Sequence, residues 1–162
     1  MQWWMAENFA YKARSGCWAY DNNESYVQKY GRLYNWEAAK TSCPAGWHLP
    51  SVSEWYTLIK NLDGGQDNAG VKMKTTTDWK YDVDGNATNE SGFNALPAGY
   101  RSGFDGSFNM LGSFTEFWSS TSTSSPQGET LANGFRLSHG FESCDPYCLT
   151  ISDGYSIRCI KD

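Results

Sequence analysis

The sequence predicts an α+β domain, with two helices in the N-terminal half followed by short antiparallel strands and long loops. Three observations carry that expectation. Helical periodicity is confined to the chain before residue 65. Beyond it Gly, Asn, Asp, Ser and Thr dominate, broken by regularly recurring aromatic islands. Near the C-terminus apolar runs of strand length return. No internal repeat and no linker interrupts residues 1–162, so the chain reads as one domain with enough length to bury a core.

The first predicted helix covers LYNWEAAKTSC (33–43), with Leu33, Trp36, Ala39 and the stem of Lys40 on one face, and it stops before Pro44. A turn at Pro44-Ala45-Gly46 and a short extended piece from Trp47 to Pro50 follow. The second helix has a sharper start. Ser51 precedes Glu54 by three, a capping-box spacing, and Val52, Trp55, Leu58, Ile59 and Leu62 then form one stripe that Gly64 and Gly65 end. In the loop-rich stretch, Trp79, Phe93, Leu96, Tyr100, Phe108, Leu111, Phe117 and Trp118 recur too regularly to be solvated, which argues for packed loops rather than disorder. Strands are expected at 131–137, 147–151 and 155–160, the last alternating apolar and polar residues.

Composition narrows the function classes. Aromatic residues make up 16% of the chain, which suits a well-packed loop-rich domain or an adhesive face. The net charge of −5 comes without any Lys/Arg cluster, so nucleic acid and anionic membrane surfaces are poor partners. No apolar run approaches the roughly 18 residues of a membrane-spanning helix. Five cysteines and two histidines do not assemble into a closed zinc site by spacing, and disulfides in an oxidising compartment fit better. The chain opens MQWWMAENF without a basic, apolar leader. A secreted or cell-surface location is therefore expected for a chain whose leader has been removed, or for a piece of a larger protein.

Seven segments in order, WMAENF (4–9), YGRLYNWEAA (30–39), CPAGWHLPSVSEW (43–55), ALPAGYR (95–101), DGSFNMLG (105–112), FWSST (117–121) and GYSIRCIKD (154–162), resemble the Fibrobacter succinogenes major paralogous domain (FISUMP) and span nearly the whole chain. The resemblance implies a C-type-lectin-like fold and a secreted or surface setting. It also implies a disulfide between Cys43 and Cys159, worth roughly 4–5 kcal/mol in the chain-entropy picture. It assigns Cys17 no partner, because DNNESYVQKYG carries no cysteine where paralogues commonly have one.

Candidate sites follow. His48, between Trp47 and Leu49, reads as a packed, hydrogen-bonded structural residue, since no nucleophile motif accompanies it. Cys144 and Cys148 flank Asp-Pro-Tyr and are read as a small disulfide pinching a loop; the alternatives are a metal half-site with His139 and Glu142, free thiols, or pairing of one with Cys17. Asp82, Asp84, Asn86, Asn89 and Glu90 gather oxygen ligands that would suit Ca²⁺, against an Asx-rich turn stabilised by its own side chains. The stretch 119–153 is the expected binding surface. Within it Asn133, Phe135, Arg136, His139, Phe141, Glu142, Asp145 and Tyr147 offer aromatic faces, a guanidinium and acceptors for a sugar or a protein epitope; the alternative for several of them is core, since Leu131, Phe135 and Leu137 alternate as a strand would.

The function expected is thus non-catalytic ligand recognition or adhesion, directed at a carbohydrate or a cell-surface protein. The resemblance adds a sharper version, a variable protein diversified by a retroelement with the C-terminal GYSIRCIKD held constant. The competing readings are a structural surface-coat domain and an enzyme of the formylglycine-generating type, for which Cys144 and Cys148 would be the reactive pair.

Overall fold

The computed structural model describes residues 1–62, 66–80 and 87–162. In chain order the elements are β1 (Cys17–Trp18), α1 (Val27–Tyr30), β2 (Leu33–Tyr34), α2 (Trp36–Ser42), β3 (Trp47–His48), α3 (Val52–Asn61), α4 (Gln66–Met73), β4 (Tyr100–Arg101), β5 (Phe108–Asn109), β6 (Phe114–Ser124), β7 (Thr130–Ser138), β8 (Asp145–Thr150) and β9 (Ile160–Lys161). The class is α+β as expected, but with four α-helices among the described residues rather than two.

Each difference has a local cause. The helix expected from Leu33 begins at Trp36, because the Asn35 side chain accepts the Ala38 N–H and fixes the start there. Leu33 and Tyr34 instead pair with β1 as a short antiparallel ribbon. The Ser51–Glu54 capping box forms in both directions and starts α3 at Val52. Helix α4 lies in a stretch whose Asp, Asn and Gly residues read as loop. Its Gly70 packs against backbone, where an added Cβ would meet the Ser143 carbonyl oxygen at 2.3 Å, so the helix exists through close tertiary approach more than through propensity.

The centre is the antiparallel sheet β6–β7–β8. Period-two alternation divides its side chains between two cores. Phe117, Phe135 and Leu137 face Trp55 and Ile59 of α3, Ala69 and Met73 of α4, and Phe93. The Trp55 and Phe135 rings stack at 5.1 Å between centroids. On the opposite face Trp118, Ala132 and Leu149 pack with Tyr34, Trp36, Ala39, Tyr155 and Ile157. A register shift between Trp118 and Ser122 places extra residues in β6 before its pairing with β7 resumes at Ser122, the kind of bulge that bends a long strand.

The segment expected as an alternating strand at 155–160 is buried throughout and does not alternate. Gly154, Tyr155 and Ser156 instead bridge singly to Arg101, Tyr34 and Phe117. A connector stitching three elements has no solvent face, so the period-two signal misleads there. Arg158 is wholly buried in it. Its guanidinium donates to the Asn8 side chain and to the carbonyls of Met5, Phe93 and Asn94, and burial draws its pKa down to about 9.

Cys43, just past α2, and Cys159, just before β9, form a disulfide with Cα atoms 5.9 Å apart. β3 pairs with β9 beside it, the Met5 N–H donates to the Cys159 carbonyl, and the Lys161 N–H donates to the Trp3 carbonyl. Both chain ends therefore meet at one corner. His48 belongs to that corner: its Nε2 lies 2.8 Å from Glu54 Oε1 and its Nδ1 2.6 Å from Asp162 Oδ1. It is hydrogen-bonded as expected, yet partly exposed rather than packed.

The expected Cys144–Cys148 bridge is absent, both thiols being free. The reason is geometric. The segment from Asp145 onward is β8, and four residues of strand span about 13 Å, well beyond the roughly 7 Å limit for a disulfide. Cys144 is buried against the helix-side core, and burial pushes its thiol pKa up. Cys148 is exposed, and Cys17 is half-buried.

Candidate functional site

The alternation of β7 sorts the expected binding residues. Phe135 is fully buried and stacks on Trp55, so it builds core and cannot touch a ligand; Asn133 shares its parity, its side chain within 3.9 Å of Cys148 Sγ. Arg136 falls on the other face. There its guanidinium carbon lies 3.9 Å from the Tyr147 ring centre and 5.1 Å from that of Phe114. Asp145 ties the start of β8 to α4, accepting from Gln66 at 3.2 Å and from Ser143 at 2.6 Å. Glu142 is exposed in the turn before it, its carbonyl accepting from Val71 of α4. Asp145 pairs with Arg136 across the strands, but neither it nor Glu142 lines the cavity that Arg136 enters.

His139 and Phe141 do join Arg136. With Tyr100, Met110, Phe114, Glu116, Asp153 and Tyr155 they line an open cavity of about 510 Å³. Beyond β7 and the turn after it, its walls come from four more places. Tyr100 is on β4, Met110 in the loop after β5, Phe114 and Glu116 on β6, and Asp153 and Tyr155 in the connector after β8. Tyr100 stacks on Tyr155 at 5.9 Å and lies 5.5 Å from Phe114. Phe141 and Met110 are largely exposed and form the rim, whereas Glu116 and Tyr155 are buried and form the floor. The rim turn is held from behind by Lys74, whose buried ammonium donates to the Ser138 and Phe141 carbonyls. His139 Nδ1 donates to the Ser113 carbonyl at 3.0 Å, which places a proton on that nitrogen.

The floor carries the unusual chemistry. Glu116 has a side chain only 1% exposed, and its Oε1 accepts a hydrogen bond from Arg136 Nε at 2.7 Å, with Nη2 of the same guanidinium ion-paired to it at 2.6 Å. Its Oε2 is buried without a hydrogen-bond partner. Burial raises the Glu116 pKa and the charge of Asp153 adds to that, while Arg136 and the nearby Tyr155 hydroxyl oppose it. The single Tyr155 hydroxyl proton is directed to Asp153 Oδ2 at 3.1 Å, and Asp153 Oδ1 accepts the Gly103 N–H at 2.7 Å. Burial, then the charges of Glu116 and Asp153, push the Tyr155 pKa up.

Glu116, Asp153, Tyr155 and Tyr100 were not among the binding residues picked out from the sequence, Tyr100 being read only as packed. A signal did exist. In FTEFW a lone carboxylate stands at an inward position between Phe114 and Trp118, and a buried charge demands a partner and a reason.

Of the proposed calcium ligands, Asp82, Asp84 and Asn86 lie outside the described residues. Asn89 makes an Asx-type turn with Asn94, accepting its N–H at 2.9 Å, and Glu90 lies 3.7 Å from Lys72 Nζ. Among the described residues, no group of three or more His, Cys, Asp or Glu side chains is placed to hold a metal ion. No helix among them is long and apolar enough to cross a membrane.

A small α+β scaffold that closes its ends with a disulfide and opens an aromatic-walled cavity beside its central sheet defines the class of the molecule. The chain belongs to the Fibrobacter succinogenes major domain family, whose profile matches residues 1–161. No curated protein and no solved structure gives a match.

Proposed function

We propose that the chain is a non-catalytic recognition module of a secreted or surface protein, on a C-type-lectin-like scaffold, and that the cavity beside β6 and β7 receives its ligand. The observation that carries this reading is the cavity itself. Aromatic walls and an exposed Met110–Phe141 rim surround a floor whose buried carboxylate is only half satisfied. Apolar walls with a few convergent polar groups are the ordinary makeup of a ligand site. The disulfide and the joined chain ends fit a display domain outside the cell. Carbohydrate or a cell-surface protein is the ligand class favoured, since aromatic faces beside hydrogen-bonding groups serve both. An enzyme of the formylglycine-generating type is disfavoured, because Cys144 is buried in the core and Cys148 is exposed. If a retroelement diversifies the 119–153 stretch, the positions open to it are exposed ones such as Phe141 and Tyr147, not Phe135, Leu137 or Leu149.

The test is binding of the purified chain to arrays of glycans and cell-surface proteins, beside a variant carrying Met110→Ala and Phe141→Ala. Saturable binding that the rim variant loses, with its thermal midpoint unchanged, supports the reading. Binding indifferent to the rim, or none at all, favours a coat domain without a ligand at this site.

A further inference from the structure

The ligand's chemistry can be read from the cavity floor, an inference that rests on the cavity being a binding site. We propose that the cavity binds a primary ammonium group on an apolar stem, held by the Glu116 and Asp153 carboxylates.

Charge comes first. The lining holds two carboxylates, Glu116 and Asp153, against one guanidinium, Arg136. Both contacts of Arg136 fall on the same oxygen of Glu116, which leaves Oε2 without a hydrogen bond in a side chain almost wholly removed from water. A buried acceptor left unpaired costs about 1–3 kcal/mol, more when charged. The charge of Asp153 also bears unfavourably on Glu116. A cation placed between the two relieves both costs.

Donor count separates the remaining candidates. An ammonium has three donors and no acceptor, so it can serve both carboxylates at once. A hydroxyl brings one donor, carries lone pairs toward a floor already rich in acceptors, and neutralises nothing. A carboxylate or phosphate would meet two anions.

The walls agree. Aromatic faces attract cations and also accept an aliphatic stem, and Tyr100 and Phe114 supply them here. Arg136 is an internal precedent, its guanidinium resting against Phe114 and Tyr147 while paired to Glu116. That side chain is about one-third exposed. Sliding outward along the Tyr147 ring, it would uncover Oε2 for the incoming group. A lysine side chain and an amino sugar share this chemistry.

The experiment is an NMR titration of the full chain with butylammonium at about 10 mM, a range suited to millimolar affinity, beside butanol as its uncharged counterpart. Butylammonium should shift resonances around Glu116, Arg136 and Tyr155 saturably, with butanol at least roughly tenfold weaker. Glu116→Gln and Asp153→Asn should each lose roughly tenfold in affinity. Asp153→Asn keeps the test decisive should Glu116→Gln fail to fold. Equal binding of butanol overturns the ammonium assignment but leaves the cavity a ligand site. Saturable shifts that appear only elsewhere, or that survive both substitutions, also overturn it. Binding of neither probe overturns the ammonium assignment, while the rim variant on the arrays decides separately whether the cavity is a ligand site. Glucosamine and Nα-acetyl-lysine amide, compared next, show by the tighter binder whether the ammonium belongs to a sugar or to a protein.

Discussion

Replacing Cys43 and Cys159 together with alanine removes the one covalent tie in the described structure. The two residues are 116 apart in sequence. With a closed loop of that size, chain entropy lost from the unfolded state amounts to about 5 kcal/mol at room temperature. Domains of this kind hold only about 5–15 kcal/mol in all, so a third or more of the stability is at stake. Urea unfolding followed by tryptophan fluorescence is the assay, since Trp55 and Trp118 lie in the two cores on either side of the central sheet. The variant should unfold at a lower midpoint and with a steeper dependence on urea, because its unfolded chain, freed of the loop, exposes more surface. Wild type unfolded in the presence of dithiothreitol should follow the variant's curve. A loss below about 1 kcal/mol with an unchanged slope would refute the reasoning. The corner would then be held by the β3–β9 pairing and by the hydrogen bonds of Met5 and Lys161 alone.

Three further outcomes are expected. Arg136→Met should cost about 3 kcal/mol by stranding the buried Glu116 carboxylate, and adding Glu116→Leu should recover most of it, as a double-mutant cycle in urea would show. Thr115→Val should stabilise by about 1 kcal/mol in the same assay, because the Thr115 hydroxyl is buried without a partner on the face that meets the helix-side core. His48 has its pKa raised above 6.5, chiefly by its hydrogen bond to Asp162, with Glu54 adding and burial opposing. Its contribution is therefore complete below pH 6.5 and fades as pH rises through the folded-state value. The thermal midpoint of wild type should fall across that window, and His48→Gln should remove the slope.

How far the sequence could be read depended on whether a residue's role was local. Ser51 and Glu54 are three apart and the capping box they spell is the one that forms. Helix α4 was illegible because Gly70 is chosen for its approach to Ser143, a contact across more than seventy positions. Strand β6 hid in a run of apparent aromatic islands, because both of its faces meet cores and no polar alternation survives through Phe114–Trp118. The candidate site shows the same division. Arg136, His139 and Phe141 sit in one hairpin and were picked out together, whereas Glu116 and Asp153 reach the cavity only through the pairing of β6 with β7 and the return of the connector. For Phe135 the core alternative, visible in its alternation with Leu137, is the one that holds, since neighbours on a strand face opposite ways.

Lys74 grips the rim turn by two backbone carbonyls, those of Ser138 and Phe141. Every residue type carries a carbonyl, so this anchor is indifferent to which side chains the turn displays. The scaffold has thereby separated the shape of its cavity mouth from the chemistry presented there. Such a mouth can be rewritten at Phe141 while the anchor that holds it stays the same, and a family of related chains could inherit one frame and differ in what each one meets.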